Sequence, residues 1–196
     1  MASKTIILKE VILSFPENLW TPGTPKNAQS TSKPKYSCQF LVELDSDNKK
    51  LIDATIKEVA QQEWKAKAGQ ILASIEGNTN RMCFIDGNRR VGWAGYENRW
   101  GISAGRYPNN GQPLLIKRDK SPVKEADGLL YGGAIVNAKI DIFTYDTPSP
   151  GVSAGLQVVQ FVRHGQSFGG APAATADDME DLPFEDEMDG EEYDLL

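Results

Sequence analysis

At 196 residues, with 40% hydrophobic and 24% charged residues, the chain has the length and composition of one ordinary domain with a buried core. No stretch approaches the ~20 apolar residues of a membrane span, the start MASKTIILKEVILSF lacks the unbroken apolar run of a secretory signal, and His164, the single histidine, leaves no zinc site of Cys and His ligands. The net charge of −6 divides unevenly: residues 177–196 hold eleven of the 27 carboxylates and no Lys or Arg, leaving 21 basic and 16 acidic residues, a balance of +5, on residues 1–176.

Thr5 to Phe15 is rich in β-branched and large apolar residues and reads as an opening strand. Pro16 to Lys35, full of Pro, Gly, Ser, Thr and Asn around Trp20, reads as a long loop, which in a compact domain is either functional or disordered. Strand character returns from Tyr36 to Leu44. Asp45-Ser46-Asp47 then supplies N-cap chemistry and early negative charge for a helix. Ile52, Ile56, Val59, Ala60 and Trp64 recur at helical spacing as far as Lys67, with Gly69 as the expected C-cap. This single amphipathic helix should pack one face on a sheet.

Asn78 to Pro113 is the least regular part. Short strands are expected at Met82–Ile85 and Trp100–Ala104, with turns at Gly87-Asn88 and Asn110-Gly111. Leu114–Arg118 is a further short strand. Gly132–Tyr145 is the longest, with Ala134, Val136, Ala138, Ile140 and Ile142 on one face and Ile135, Asn137, Lys139, Asp141 and Phe143 on the other. A turn from Thr147 to Val152 leads into Gly155–Arg163, which predicts an antiparallel hairpin. Residues 166–176 form a Gly/Ala-rich linker to the acidic tail. Cys38 and Cys83 sit in strand-like apolar contexts and are expected as buried thiols, not a disulfide. Many strands, one helix and many Gly turns indicate a small barrel or sandwich and not an α/β enzyme.

Between Arg81 and Tyr107 lies a concentration of cations and aromatics. Trp93, Tyr96, Trp100 and Tyr107, with Trp20 from the long loop, are candidate platforms on which unpaired bases stack. Arg89, Arg90, Arg99 and Arg106 are candidate phosphate holders, because guanidinium both stacks and forks to phosphate. Lys33, Lys35, Lys117, Arg118 and Lys139 could extend the same basic groove. Against this stands the plainer reading, in which the tryptophans are core and the arginines a solvated face. A cationic body carrying its own polyanion suits reversible binding of another polyanion, nucleic acid first, since counterion release drives such binding; a tail that only aids solubility is the alternative.

Enzyme readings are weaker. Glu63-Trp64-Lys65 has the Glu-x-Lys half of a nuclease motif but lies within the predicted helix, and the motif needs a second carboxylate to hold metal. Gly92-Trp93-Ala94-Gly95 has the spacing of a KH loop without the flanking helices. A Ser/His/Asp triad would have to use His164. No phosphate-cradling or dinucleotide fingerprint is present, and no cofactor or metal is expected.

The tail run ending Asp181-Leu182-Pro183-Phe184 resembles the acidic Pro-Phe end with which bacterial single-stranded DNA-binding proteins dock on replication and repair proteins, although Phe184 is internal here. The body carries a broader resemblance. Gly133, Val136, Asn137, Ala138, Ile140 and Asp141, then Leu156, Gln157, Val159, Gln160, Phe161, Val162, Arg163 and Gly165, with Phe168-Gly169-Gly170, resemble the C-terminal half of a bacteriophage single-stranded DNA-binding protein family. The resemblance implies an OB-type barrel, and with the elements read above the expected fold is mainly β: an OB-like five-stranded or elaborated barrel with one amphipathic helix, long loops and a disordered acidic tail.

The expected organisation is a binding domain over residues 1–165, the linker over 166–176 and the tail over 177–196. The expected function is non-catalytic, sequence-independent binding of single-stranded DNA in phage replication or recombination, in the host cytoplasm. The tail would compete with DNA and recruit replication or recombination proteins through Asp181, Leu182, Pro183 and Phe184; no membrane partner is expected. The main alternative is an acidic-tailed scaffold or DNA mimic without DNA affinity of its own.

Overall fold

A computed structural model describes residues 1–24 and 32–169. Part of the segment read as a long loop, the linker from residue 170 and the whole acidic tail, with Asp181, Leu182, Pro183 and Phe184, lie outside the described residues. The first strand, β1 (Ser3–Gly23), is longer than the sequence suggests and takes in Pro16, Trp20 and Pro22. It runs on through these residues because it bends. Glu10 and Phe15 adopt positive φ (53° and 50°), and the register shifts between Leu8 and Val11 against one neighbour and between Ser14 and Asn18 against the other. Pro16 falls within the second shift, where a missing N–H costs no regular ladder bond. The segment from Pro16 to Gly23 is therefore strand, not loop.

β2 (Lys35–Glu43) pairs antiparallel with the second half of β1, and β6 (Ile135–Tyr145) with the first half. β4 (Arg99–Arg106) lies against β2, and β7 (Gly151–Arg163) against β6 in the predicted hairpin. A parallel pairing at Gly105↔Gly155 joins β4 to β7 and closes the five strands into an OB-like barrel. Two short strands sit at the margins: β3 (Phe84–Asp86) on β4 and β5 (Leu114–Ile116) on β7.

Alternation fills the barrel. Ile6, Leu8, Val11 and Leu13 of β1, Phe40 and Val42 of β2, Ile102 and Ala104 of β4, and Val136, Ala138, Ile140 and Ile142 of β6 are buried together with Leu156 and Val159 of β7. Cys38 and Cys83 are free and buried, and burial pushes the Cys83 thiol up to about 12.

The first helix, α1 (Asp47–Trp64), is capped by Ser46, whose hydroxyl accepts the Lys49 N–H at 3.2 Å. It buries Ile52, Thr55, Ile56, Val59, Ala60 and Trp64, and packs against β6, β1 and β2. The predicted cap at Gly69 is corrected. The helix breaks at Lys65 (φ 50°), passes through a 3-10 turn at Lys65–Lys67, and resumes as a short α2 (Ala68–Ile75) that contains Gly69.

Candidate nucleic-acid interface

The outward face of β1, β2 and β4 is built from small or polar residues in cross-strand rows. Ser14, Gln39 and Ser103 form one row; Asn18, Ser37 and Gly105 form the next, which meets Gly155 of β7. Lacking bulk, these rows make the floor of a groove of about 720 Å³. Its rim carries Phe15, Trp93 and Arg90, with Lys33, Lys35, Tyr107, Arg81 and Tyr145 also lining it. A second cleft of about 450 Å³ shares Lys35, Gly105, Tyr107 and Tyr145 with the first, and carries it on to Arg106, Phe143 and Asp141. The two adjoin across the β4–β7 closure.

Trp93 is half-buried, held edge-on by Phe15 (4.8 Å between centroids) and Tyr96 (5.2 Å), with the Arg90 guanidinium 4.6 Å from its ring centre. This is a fixed ring capped by a cation, a pairing suited to a base next to a phosphate. Tyr107 is 50% exposed beside Lys35. Lys35 lies along β4 at Gly105, and burial holds its ammonium below the usual lysine pKa.

The sequence-predicted set therefore divides. Trp93, Tyr107, Lys33, Lys35 and Arg90 meet in the groove, and Arg106 reaches its extension, where it donates to the Asn110 and Gly111 carbonyls and holds the turn after Tyr107. Tyr96 is corrected: at 2% exposure it supports the floor from beneath and presents no ring face. Trp100 is corrected as well. It shares the inward face of β4 with Ile102 and Ala104, 5.0 Å from Phe84, with the Lys49 ammonium over its ring. Trp20 packs half-buried against the core, its indole N–H without a partner among the described residues.

The remaining cations stand elsewhere. Arg99 pairs with Glu43 at 2.7 Å and donates to the Gly95 carbonyl, so it braces the loop that carries Trp93. Arg89 fills the space beside Gly77. Lys117 pairs with Asp127 at 3.1 Å, Arg118 donates to the Val162 carbonyl, and Lys139 is exposed on β6 between Ile7 and Val158. Glu63 is tied to the N-terminal ammonium at 2.8 Å, and His164 stacks on Tyr131.

Sequence reasoning missed Phe15, Gln39, Phe143 and Tyr145, and took Arg81 only as the edge of the cluster. Phe143 carried a signal, an aromatic on the polar face of its strand. Tyr145 lies over Gly151, where any side chain would collide with its ring, and its hydroxyl donates to the Asn80 carbonyl at 3.1 Å.

The five strands thus define an OB-like barrel whose outer face carries a groove lined by aromatics and cations. The chain belongs to the family described as Enterobacter phage Enc34, ssDNA-binding protein, whose sequence model matches residues 4–191. It is 37% identical over 184 residues, 93% of this chain and 96% of the other, to putative protein p50 of Acyrthosiphon pisum secondary endosymbiont phage 1. Its fold is similar to the single-stranded DNA-binding protein of bacteriophage Enc34 in complex with ssDNA, with a TM-score of 0.66, 22% identity, and 84% of this chain and 89% of that one covered. It is also similar to gp2.5, a single-stranded DNA-binding protein encoded by bacteriophage T7, with a TM-score of 0.53, 15% identity, and 93% and 98% coverage.

Proposed function

We propose that the protein binds single-stranded DNA of any sequence, without catalysis, during phage replication or recombination in the host cytoplasm. The observation that carries this reading is the groove itself: Trp93 capped by Arg90, then Lys35 and Tyr107, on a floor of small and polar residues. Family membership and the ssDNA bound to the similarly folded Enc34 protein support it. A duplex keeps its base faces stacked inside the helix, whereas a single strand offers them to the rings and its phosphates to Lys33, Lys35, Arg81 and Arg90. Glu63, the residue a nuclease reading would need, is already paired with the N-terminal ammonium.

In this account residues 1–165 bind DNA, residues 166–176 link, and the tail over 177–196 competes for the groove as a tethered polyanion at an effective concentration that can reach millimolar. DNA binding then frees Asp181-Leu182-Pro183-Phe184 to dock on replication or recombination proteins. Titration with oligo(dT) at several salt concentrations tests the core of the proposal. Four neutralised phosphates give a log–log slope near −3, from about −0.7 per phosphate on single strands. A slope near zero contradicts it.

A further inference from the structure

The amide of Gln39 stands half-buried on the groove floor, in the row between Ser14 and Ser103. Its Oε1 accepts the Tyr96 hydroxyl at 2.7 Å. The carbonyl end of the amide therefore faces Tyr96, and the nitrogen end is turned away from it. Tyr96 cannot move away readily: it is 2% exposed, wedged against Phe15 and Trp93, and backed by Ser14 Oγ at 3.2 Å. Gly101 leaves the room, since a side chain there would begin 3.2 Å from the Tyr96 ring and 3.7 Å from Gln39 Oε1. Burial also raises the Tyr96 phenol, which keeps it a donor.

What remains is Nε2. It has no hydrogen-bond partner among the described residues and is not sealed from solvent. The groove floor thus carries an amide fixed as a donor, beside a ring on which a base can stack, while the cations that suit phosphates, Arg90 and Lys35, line the groove around it.

We propose that Gln39 reads the edge of a base, giving the groove a graded preference for bases that present carbonyl acceptors. Thymine is favoured most, because its O2 and O4 accept on both flanks, whereas cytosine replaces one carbonyl by an amino donor. The inference rests on the groove being the path of a single strand. It adds a preference of the size of one hydrogen bond to binding that otherwise depends on stacking and charge.

The test compares oligo(dT) and oligo(dC) of equal length, at one salt concentration and across a salt series, for the full chain and three variants. Wild type is expected to favour oligo(dT) by about 3- to 10-fold. Gln39→Leu, which leaves Tyr96 with Ser14 as its acceptor, should bring the ratio near one with the salt slope unchanged. Gln39→Glu replaces the donor by an acceptor and should turn the ratio towards oligo(dC) while weakening both. Tyr96→Phe frees the amide to turn over and should also flatten the ratio; if that variant fails to fold, the two Gln39 variants still decide. Equal affinities in wild type, or an equal loss for both oligomers in Gln39→Leu, mark a backbone contact and overturn the inference alone. No salt-dependent binding of either oligomer by wild type overturns it together with the proposed function.

Discussion

Lys35 packs so closely over Gly105, on the neighbouring strand, that a side chain there would force the lysine to shift. A Cβ at Gly105 would stand 3.0 Å from Lys35 Cδ and 3.3 Å from Nζ. The same glycine pairs with Gly155 to close the barrel, so closure and the central cation of the groove depend on one residue. Gly105→Val should displace the lysine and weaken DNA binding. Lys35→Ala should make the salt slope shallower by about 0.7, the share of one phosphate. Salt-series titrations of both variants check this, and an unchanged slope places Lys35 off the DNA path.

Burial lowers the Lys35 pKa, which makes the binding pH-dependent in a defined direction. Free protein gives up this proton at lower pH than an ordinary lysine, so affinity should fall on the alkaline side earlier than the other cations allow. Lys35→Arg should flatten that decline. Stability runs the opposite way. The unfolded chain holds the proton more tightly than the folded one, so this group's contribution to stability rises as pH passes through its folded value. Affinity and thermal unfolding measured over the same alkaline series separate the two effects.

Phe143 lines the cleft that continues the groove past Tyr107 and Tyr145. Phe143→Ala should leave short oligomers unaffected and weaken longer ones. The loss of one stacked base, about 1–3 kcal/mol, corresponds to roughly 5- to 150-fold. Binding measured against oligomer length checks it; equal losses at every length would mean that the cleft is not an extension of the path.

Ser46 joins the barrel to α1, accepting the Lys49 N–H and donating to the Glu43 carbonyl at 2.8 Å. Ser46→Ala should cost about 1 kcal/mol of stability without changing DNA affinity. Denaturant unfolding and a single titration suffice to check both halves.

Deleting residues 177–196 should tighten DNA binding, most at low salt, because the tethered competitor is gone. Phe184→Ala should leave DNA affinity unchanged and reduce capture of replication proteins. Unchanged affinity after the deletion would confine the tail to docking or solubility.

Strand alternation made much of the barrel legible. Val136, Ala138, Ile140 and Ile142 alternate with polar neighbours over a full strand, and the turn after Tyr145 announces the hairpin. The helix start at Asp45-Ser46-Asp47 was equally plain, and Ser46 is the residue of the three that caps it. The continuation of β1 through Pro16 and Pro22 was not, because a bulge that excuses a proline depends on the partner strand. The aromatic cluster was half legible. Trp93, Arg90 and Tyr107 are close in sequence and meet in space, but Trp100 alternates with Ile102 and Ala104, a parity that marks it as inward-facing. Phe15 and Tyr145 come to the groove from β1 and β6, elements far in sequence from Trp93, and only the fold brings them there. Cations misled where local partners claim them, as Glu43 claims Arg99.

The central claim is that single-stranded DNA stacks on Trp93, and tryptophan fluorescence tests it most directly. Oligo(dT) is titrated into wild type, Trp93→Phe and Trp100→Phe. The account predicts salt-sensitive quenching in wild type, its retention in Trp100→Phe, and the loss of most of it, with weaker binding, in Trp93→Phe. Full quenching and unchanged affinity in Trp93→Phe would contradict it and move the DNA off this groove.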